Sequence, residues 1–151
     1  MCQWFNSTFG QLLKIFKAFM SNTLIKFLIK LKNAALIKQE SISFDFNKLN
    51  LDITELLYNE GLIQSFFIKE EVILNKATLK ICITLRAIYN KPLLKSLKII
   101  STPVKITYLT LKNLAKLPST KSILVLSTSK GFLTGLECKK QKIGGVLLFI
   151  I

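Results

Sequence analysis

No stretch of this chain runs for about 18 apolar residues without a charged one, although half of its residues are apolar. That combination constrains the fold more than any motif does. A bilayer-spanning helix needs a long uninterrupted apolar run, and lysines break every candidate here. The apolar side chains must instead bury one another. A length of 151 residues suits one medium domain or two very small ones sharing a core. A chain this apolar does not fit the composition of a disordered segment.

The spacing of the apolar residues indicates which elements bury them. Leu24, Phe27, Leu28 and Leu31 recur at helical intervals behind Asn22, which sits at an N-cap position. Lys26, Lys30 and Lys32 project from the other faces of that helix, as a solvated surface or one that meets an anion. Ile42, Phe44 and Phe46 alternate with polar residues as in a strand. Leu49, Ile53, Leu56 and Leu57 predict a second helix, ended by Gly61. Two strands follow, over 62–69 and 77–86, the latter alternating Leu79, Ile81, Ile83 and Leu85 with polar residues.

Tyr89–Asn90–Lys91–Pro92 marks a turn and the expected boundary. Beyond it, 93–100 fits helix and strand equally. Residues 104–109 predict a strand after Pro103, and 111–116 a short helix ending before Pro118. Residues 123–126 and 146–151 predict two more strands. The expected class is α+β, with two small packed domains. Residues 21–88 form an N-terminal α/β unit (helix-strand-helix-strand-strand), and 89–151 form a mainly-β domain with short helices.

Residues 1–20 stand apart as an N-terminal extension. Phe9, Leu12, Leu13, Phe16, Phe19 and Met20 lie at helical spacing, with Lys14 and Lys17 off that stripe. Three readings fit: a transit peptide, though such peptides are rich in arginine and this segment has none; an interfacial membrane helix; or a helix packing on the domain or on a neighbouring protein.

Charge narrows the function. The formal net charge is +14, which calls for an anionic partner, nucleic acid or membrane surface. No acidic residue falls between Val72 and Leu136, while basic residues recur from Lys76 to Lys130. The chain has no histidine, so the commonest general base and metal ligand is missing. Cys2, Cys82 and Cys138 match no metal or redox spacing and read as reduced, partly buried thiols. There is no phosphate-binding glycine-rich loop and no clustered carboxylate pair. No enzyme activity, metal, cofactor or small-molecule substrate is therefore expected. Arg86 is the only arginine among 22 basic residues. Guanidinium serves phosphate as well as ammonium does, so this bias points to an A+T-rich coding genome, which the base composition of the gene would test.

The most informative stretch is Ser127–Thr128–Ser129–Lys130–Gly131, directly after an apolar strand. Hydroxyls can bond phosphate oxygens, sugar hydroxyls or base edges. Lys130 adds a point charge, and Gly131 admits close approach or positive φ. On local grounds the same residues also make a plain hairpin connection.

The run from Ile123 to Gly131 resembles the strand and signature loop of the bacterial-type S-eight family of small-subunit ribosomal proteins. Lys30–Leu31–Lys32–Asn33 is similar to the end of that family's first helix. Lys48–Leu49, Ile53, Leu56 and Glu60–Gly61–Leu62–Ile63 are similar to its second helix and following turn. Thr84–Leu85, Ser101, Pro103, Ile106 and Tyr108 fall at its central strands, and Ile143–Gly144–Gly145 at its C-terminal signature. The likeness covers Ser21 to Ile151. The sequence departs from the family where Val146 replaces a usual glutamate. Thr102 and Val104 replace an arginine and a glycine around the central proline, and Gly135 and Leu136 an acidic and a basic residue.

The resemblance implies a protein that binds a small-subunit ribosomal RNA helix in the central domain and supports its assembly beside neighbouring ribosomal proteins. It implies RNA contacts at Ser127, Thr128, Ser129, Lys130 and Gly131, with Gly144 and Gly145 as close-approach backbone. Lys30, Lys32 and Asn33 are implied as phosphate and sugar contacts, and Tyr108 as a weaker candidate. The departures and the added N-terminal segment favour a mitochondrial ribosome; a plastid or an A+T-rich bacterium remains open. The alternative is a peripheral membrane protein that holds anionic lipid by its basic surface and N-terminal helix.

Overall fold

The computed structural model describes residues 22–73, 76–88, 91–102, 105–117 and 122–151. The expected extension 1–20, together with Cys2, Tyr89, Asn90, Pro103, Val104 and Pro118, lies outside the described residues.

Helix α1 (Asn22–Leu36) leads into strand β1 (Ser41–Asp45), helix α2 (Lys48–Asn59) and the long strands β2 (Ile63–Ile73) and β3 (Lys76–Leu85). The strands form an antiparallel sheet in the order β1-β3-β2. The two-residue strands β4 (Ala87–Ile88) and β5 (Lys91–Pro92) pair with each other, and a 3-10 turn (Leu93–Ser96) follows. Then come β6 (Lys98–Ile99), β7 (Tyr108–Leu109), α3 (Leu111–Lys116), β8 (Leu124–Thr128), β9 (Gly131–Thr134), α4 (Gly135–Gln141) and β10 (Gly145–Ile150). The second sheet runs β6-β10-β8-β9, and β7 also pairs with β10. The class is α+β, as expected.

The sequence signals explain the elements. The α1 stripe of Leu24, Phe27, Leu28 and Leu31 is buried, and burying each such side chain stabilises by about 1.5–3 kcal/mol. The Asn47 side chain caps α2 by accepting from the Leu49 N–H at 3.2 Å. After α2 the chain turns at Gly61 with φ +71°, a conformation only glycine adopts freely. The lone arginine, Arg86, donates to the Gly61 carbonyl at 3.2 Å and so holds that turn.

One core cluster joins the two halves. It combines Leu28, Ile53, Leu57, Ile81 and Ile83 with Leu94, Leu97, Val125, Leu148 and Phe149. A smaller cluster of Leu114, Leu124, Leu126, Cys138 and Leu147 lies beneath α3 and α4. Cys138 is buried and Cys82 partly so, both as free thiols.

Several expectations need correcting. Phe46 is 40% exposed, because β1 ends at Asp45 and Phe46 lies past its end. Leu79 is 47% exposed although Ile81, Ile83 and Leu85 on the same alternation are buried. Of the expected strand 104–109, the described residues 105–109 are strand only at Tyr108–Leu109. The ambiguous segment 93–100 divides into the 3-10 turn and β6. Strand β9 and helix α4 lie where no element is predicted from the sequence.

Candidate RNA-binding site

The loop Ser127–Gly131 is a tight hairpin. Strands β8 and β9 pair from Val125 with Thr134 to Thr128 with Gly131, leaving Ser129 and Lys130 as the turn. The left-handed bend falls on Gly131, at φ +110°. Thr128 locks the turn: its Oγ1 donates to the Gly131 carbonyl at 2.9 Å and accepts from the Lys130 N–H at 3.2 Å. Ser127 is buried within β8. Thus the three hydroxyl residues divide the work. Ser127 belongs to the sheet and Thr128 shapes the turn. Ser129 is exposed with no hydrogen-bond partner among the described residues, so its hydroxyl is open to an outside ligand.

The glycine pair sits directly against this hairpin. A Cβ on Gly145 would stand 2.5 Å from the Ser127 carbonyl oxygen and 2.9 Å from Cγ2 of Thr128. A Cβ on Gly144 would stand 2.8 Å from the Leu109 carbonyl oxygen and 3.1 Å from the Tyr108 hydroxyl. Both glycines are therefore needed by the protein's own packing. Their small size lets β10 lie close to β8 on one side and β7 on the other. Val146 is buried and pairs with Ser127 and Tyr108.

Tyr108 is half exposed, with its hydroxyl beside Gly144. Residues far apart in sequence thus come together: Tyr108, Thr128, Ser129, Lys130 and Gly144 lie around the buried Gly145. The exposed Lys140 and Lys142 stand at the end of α4, just before the glycine pair. They are absent from the sequence-based set, and the signal that marks them is the run Lys139–Lys140–Gln141–Lys142.

The other flank of the hairpin differs in charge. Lys130, Gly131 and Phe132 line a groove with Asp52, Glu55 and Glu60 of the α2 region and with Glu137. Carboxylates there repel phosphate, so an RNA backbone meets less resistance on the Tyr108–Gly144 side.

Lys30, Lys32 and Asn33 lie apart from that surface, on α1. Lys30 is exposed but engaged: its ammonium donates to the Ser43 carbonyl at 2.9 Å and sits 4.9 Å from the centre of the Phe44 ring. Asn33 is exposed and Lys32 partly so. Among the described residues there is no cluster of three side chains able to hold a metal ion, and no helix long and apolar enough to cross a membrane.

The sequence profile described as "Ribosomal protein S8" matches residues 22–151. The chain is 35% identical over 122 residues to "Small ribosomal subunit protein uS8" of Borrelia garinii subsp. bavariensis, covering 80% of this chain and 89% of that protein. It is 30% identical over 131 residues to "Small ribosomal subunit protein uS8c" of Tetradesmus obliquus, covering 85% of this chain and 96% of that one. It is 40% identical over 107 residues to "Small ribosomal subunit protein uS8m" of Acanthamoeba castellanii, covering 70% and 79%.

Proposed function

Because the chain belongs to the ribosomal protein S8 family, we propose that it binds a helix of the central domain of small-subunit ribosomal RNA and supports its folding during assembly. It is a small-subunit ribosomal protein, and the family is structural rather than catalytic. Residues 89–151 are the RNA-binding half. The observation that carries this reading is the packing of Gly145 on Ser127. It holds the hairpin against Gly144 and Tyr108, so that the exposed Ser129, Lys130 and Tyr108 flank the buried Gly145.

The mechanism is electrostatic first. Packing an irregular RNA helix brings phosphates together, and lysines lower that repulsion while releasing counterions. Ser129 then recognises a sugar hydroxyl, phosphate oxygen or base edge, and the tight backbone at Gly144 allows close approach. Lys30, Lys32 and Asn33 would contact phosphate and sugar elsewhere on the same RNA, and neighbouring ribosomal proteins complete the environment.

We place the protein in a mitochondrial small subunit, a reading supported by the 40% identity to the uS8m relative and by the departures from the family pattern. The uS8c and bacterial relatives keep plastid and bacterial ribosomes as the competing locations.

The test is binding of a central-domain rRNA transcript at matched salt by wild type and Ser129→Ala. The variant should keep its stability, since Ser129 makes no bond within the described chain. Its affinity should fall by about 1 kcal/mol, roughly fivefold. Equal affinity of the two proteins would overturn the role given to Ser129. Absence of any salt-sensitive binding would overturn the reading as a whole.

A further inference from the structure

The apolar face of the N-terminal sheet continues beyond the helices that cover it. In β3, Ile81 and Ile83 are buried, at 0% and 1% exposure, beneath α1 and α2. Two residues nearer the hairpin tip, Leu79 on the same face is exposed. Register places Ile68 opposite Ile81, Glu70 opposite Leu79 and Val72 opposite Ala77, so Ile68, Glu70 and Val72 share that face. Phe46, whose N–H donates to the Leu79 carbonyl at 2.9 Å, extends it from the end of β1. The exposures are 40% for Phe46, 47% for Ile68, 47% for Leu79 and 68% for Val72. Side chains scattered singly at such exposure are ordinary, but a contiguous apolar face is usually occupied.

The chain itself offers an occupant. Helix α1 enters at this place: Thr23 and Lys26 line one groove with Phe46 and Lys80. Asn50 lines the same groove and is buried. Its Oδ1 is without a hydrogen-bond partner among the described residues, an acceptor that a covering segment would satisfy. The residues just before α1 carry the stripe Phe9, Leu12, Leu13, Phe16, Phe19 and Met20. A helix over those twelve residues spans about 18 Å. The overhang, some four residues of strand, spans about 13 Å. Lys14 and Lys17 lie off the stripe, so docking it would leave both lysines free of the apolar face.

We propose that residues 9–20 dock their apolar stripe on the overhanging sheet face formed by Phe46, Ile68, Val72 and Leu79. The family match begins at residue 22, so this contact goes beyond the RNA-binding reading and can be tested on the isolated chain without RNA.

The test uses the full chain in solution with an amine-reactive cross-linker, applied to an equal mixture of unlabelled and nitrogen-15-labelled protein. Links from Lys14 or Lys17 to Lys48, which is exposed two residues beyond Phe46, are expected within single copies, without mixed-isotope links. Amide exchange across 68–79 supplies the second readout. Phe16→Asp and Val72→Asp, both in the full chain, should each remove those links and speed that exchange by at least about fivefold. Mixed-isotope links as frequent as like-labelled ones, the pattern that pairing between copies gives, would overturn the proposal in favour of a second copy as occupant. So would exchange unchanged by both substitutions. Protection of 68–79 that appears only on adding vesicles containing anionic phospholipid would overturn it in favour of a membrane surface.

Discussion

Gly145 is held by contacts within the protein itself, and through them it would shape the proposed site. Any side chain there would strike the Ser127 carbonyl oxygen, which cannot retreat without breaking the β8–β10 pairing. Gly145→Ala should therefore cost about 1–3 kcal/mol of stability, measured by urea unfolding, and should weaken RNA binding by displacing the hairpin. An RNA defect with unchanged stability would instead mean that the glycine acts on the ligand directly. Cys138 carries a second residue-level consequence. Burial, and secondarily the charge of Glu137, raises its thiol pKa above the ordinary value. The folded state thus holds the neutral thiol. The stability this contributes is complete below the unfolded thiol value of about 8.5 and is lost as pH rises past it towards the raised folded value. Urea midpoints of wild type should fall between pH 8 and 10 by more than those of Cys138→Ala, the comparison cancelling effects shared by both proteins. Parallel curves would remove Cys138 as the cause.

Among the elements, α4 was the hardest to read from sequence. It has seven residues, of which only Leu136 and Cys138 are apolar, so helical periodicity has almost nothing to register. Its signal was local chemistry instead, Thr134 followed three residues later by Glu137. The structure forms the full capping box: the Glu137 N–H donates to Thr134 Oγ1 at 3.4 Å, and the Thr134 N–H donates to the Glu137 carboxylate at 2.8 Å. Lys142 closes the other end in the left-handed conformation, at φ 56°. Thr134 is also buried, so Thr134→Ala should lower stability by about 1–2 kcal/mol. Thermal unfolding checks this, and a shift within error would show that α4 is held by packing alone. Strand β3 shows the opposite case. Its alternation was plain in the sequence, yet Leu79 lies outside the core, because periodicity assigns a residue to a face and cannot say where the covering helices stop.

On the scale of the whole molecule, the halves are tied by Leu94, Leu97, Val125, Leu148 and Phe149 in a core shared with α1, α2 and the first sheet. On the proposed reading, recognition is localised at the hairpin, while attraction to RNA would be spread over a chain of net charge +14. The logarithm of affinity should fall linearly with the logarithm of salt concentration. Lys130→Gln in the hairpin should flatten the slope by about one unit. Lys69→Gln, on the N-terminal sheet, should leave it unchanged. Equal changes from both would mean that the charge acts as a diffuse field with no privileged contact at the hairpin.

The sequence by itself determined the α+β class, the principal helices and strands, the exclusion of histidine chemistry and the family, because these follow from periodicity, composition and local motif. Both signatures of the candidate site, Ser127–Gly131 and Gly144–Gly145, were legible through their resemblance to the family, since on local grounds the first is also a plain hairpin. Only the tertiary structure decided what they do for each other. Gly145 must be small because the Ser127 backbone lies against it, Ser127 is buried while Ser129 is open, and acidic side chains of the α2 region close one flank of the hairpin. These are contacts between residues far apart in the chain, set by sheet register and by where the helices end, and no local pattern of side chains encodes them.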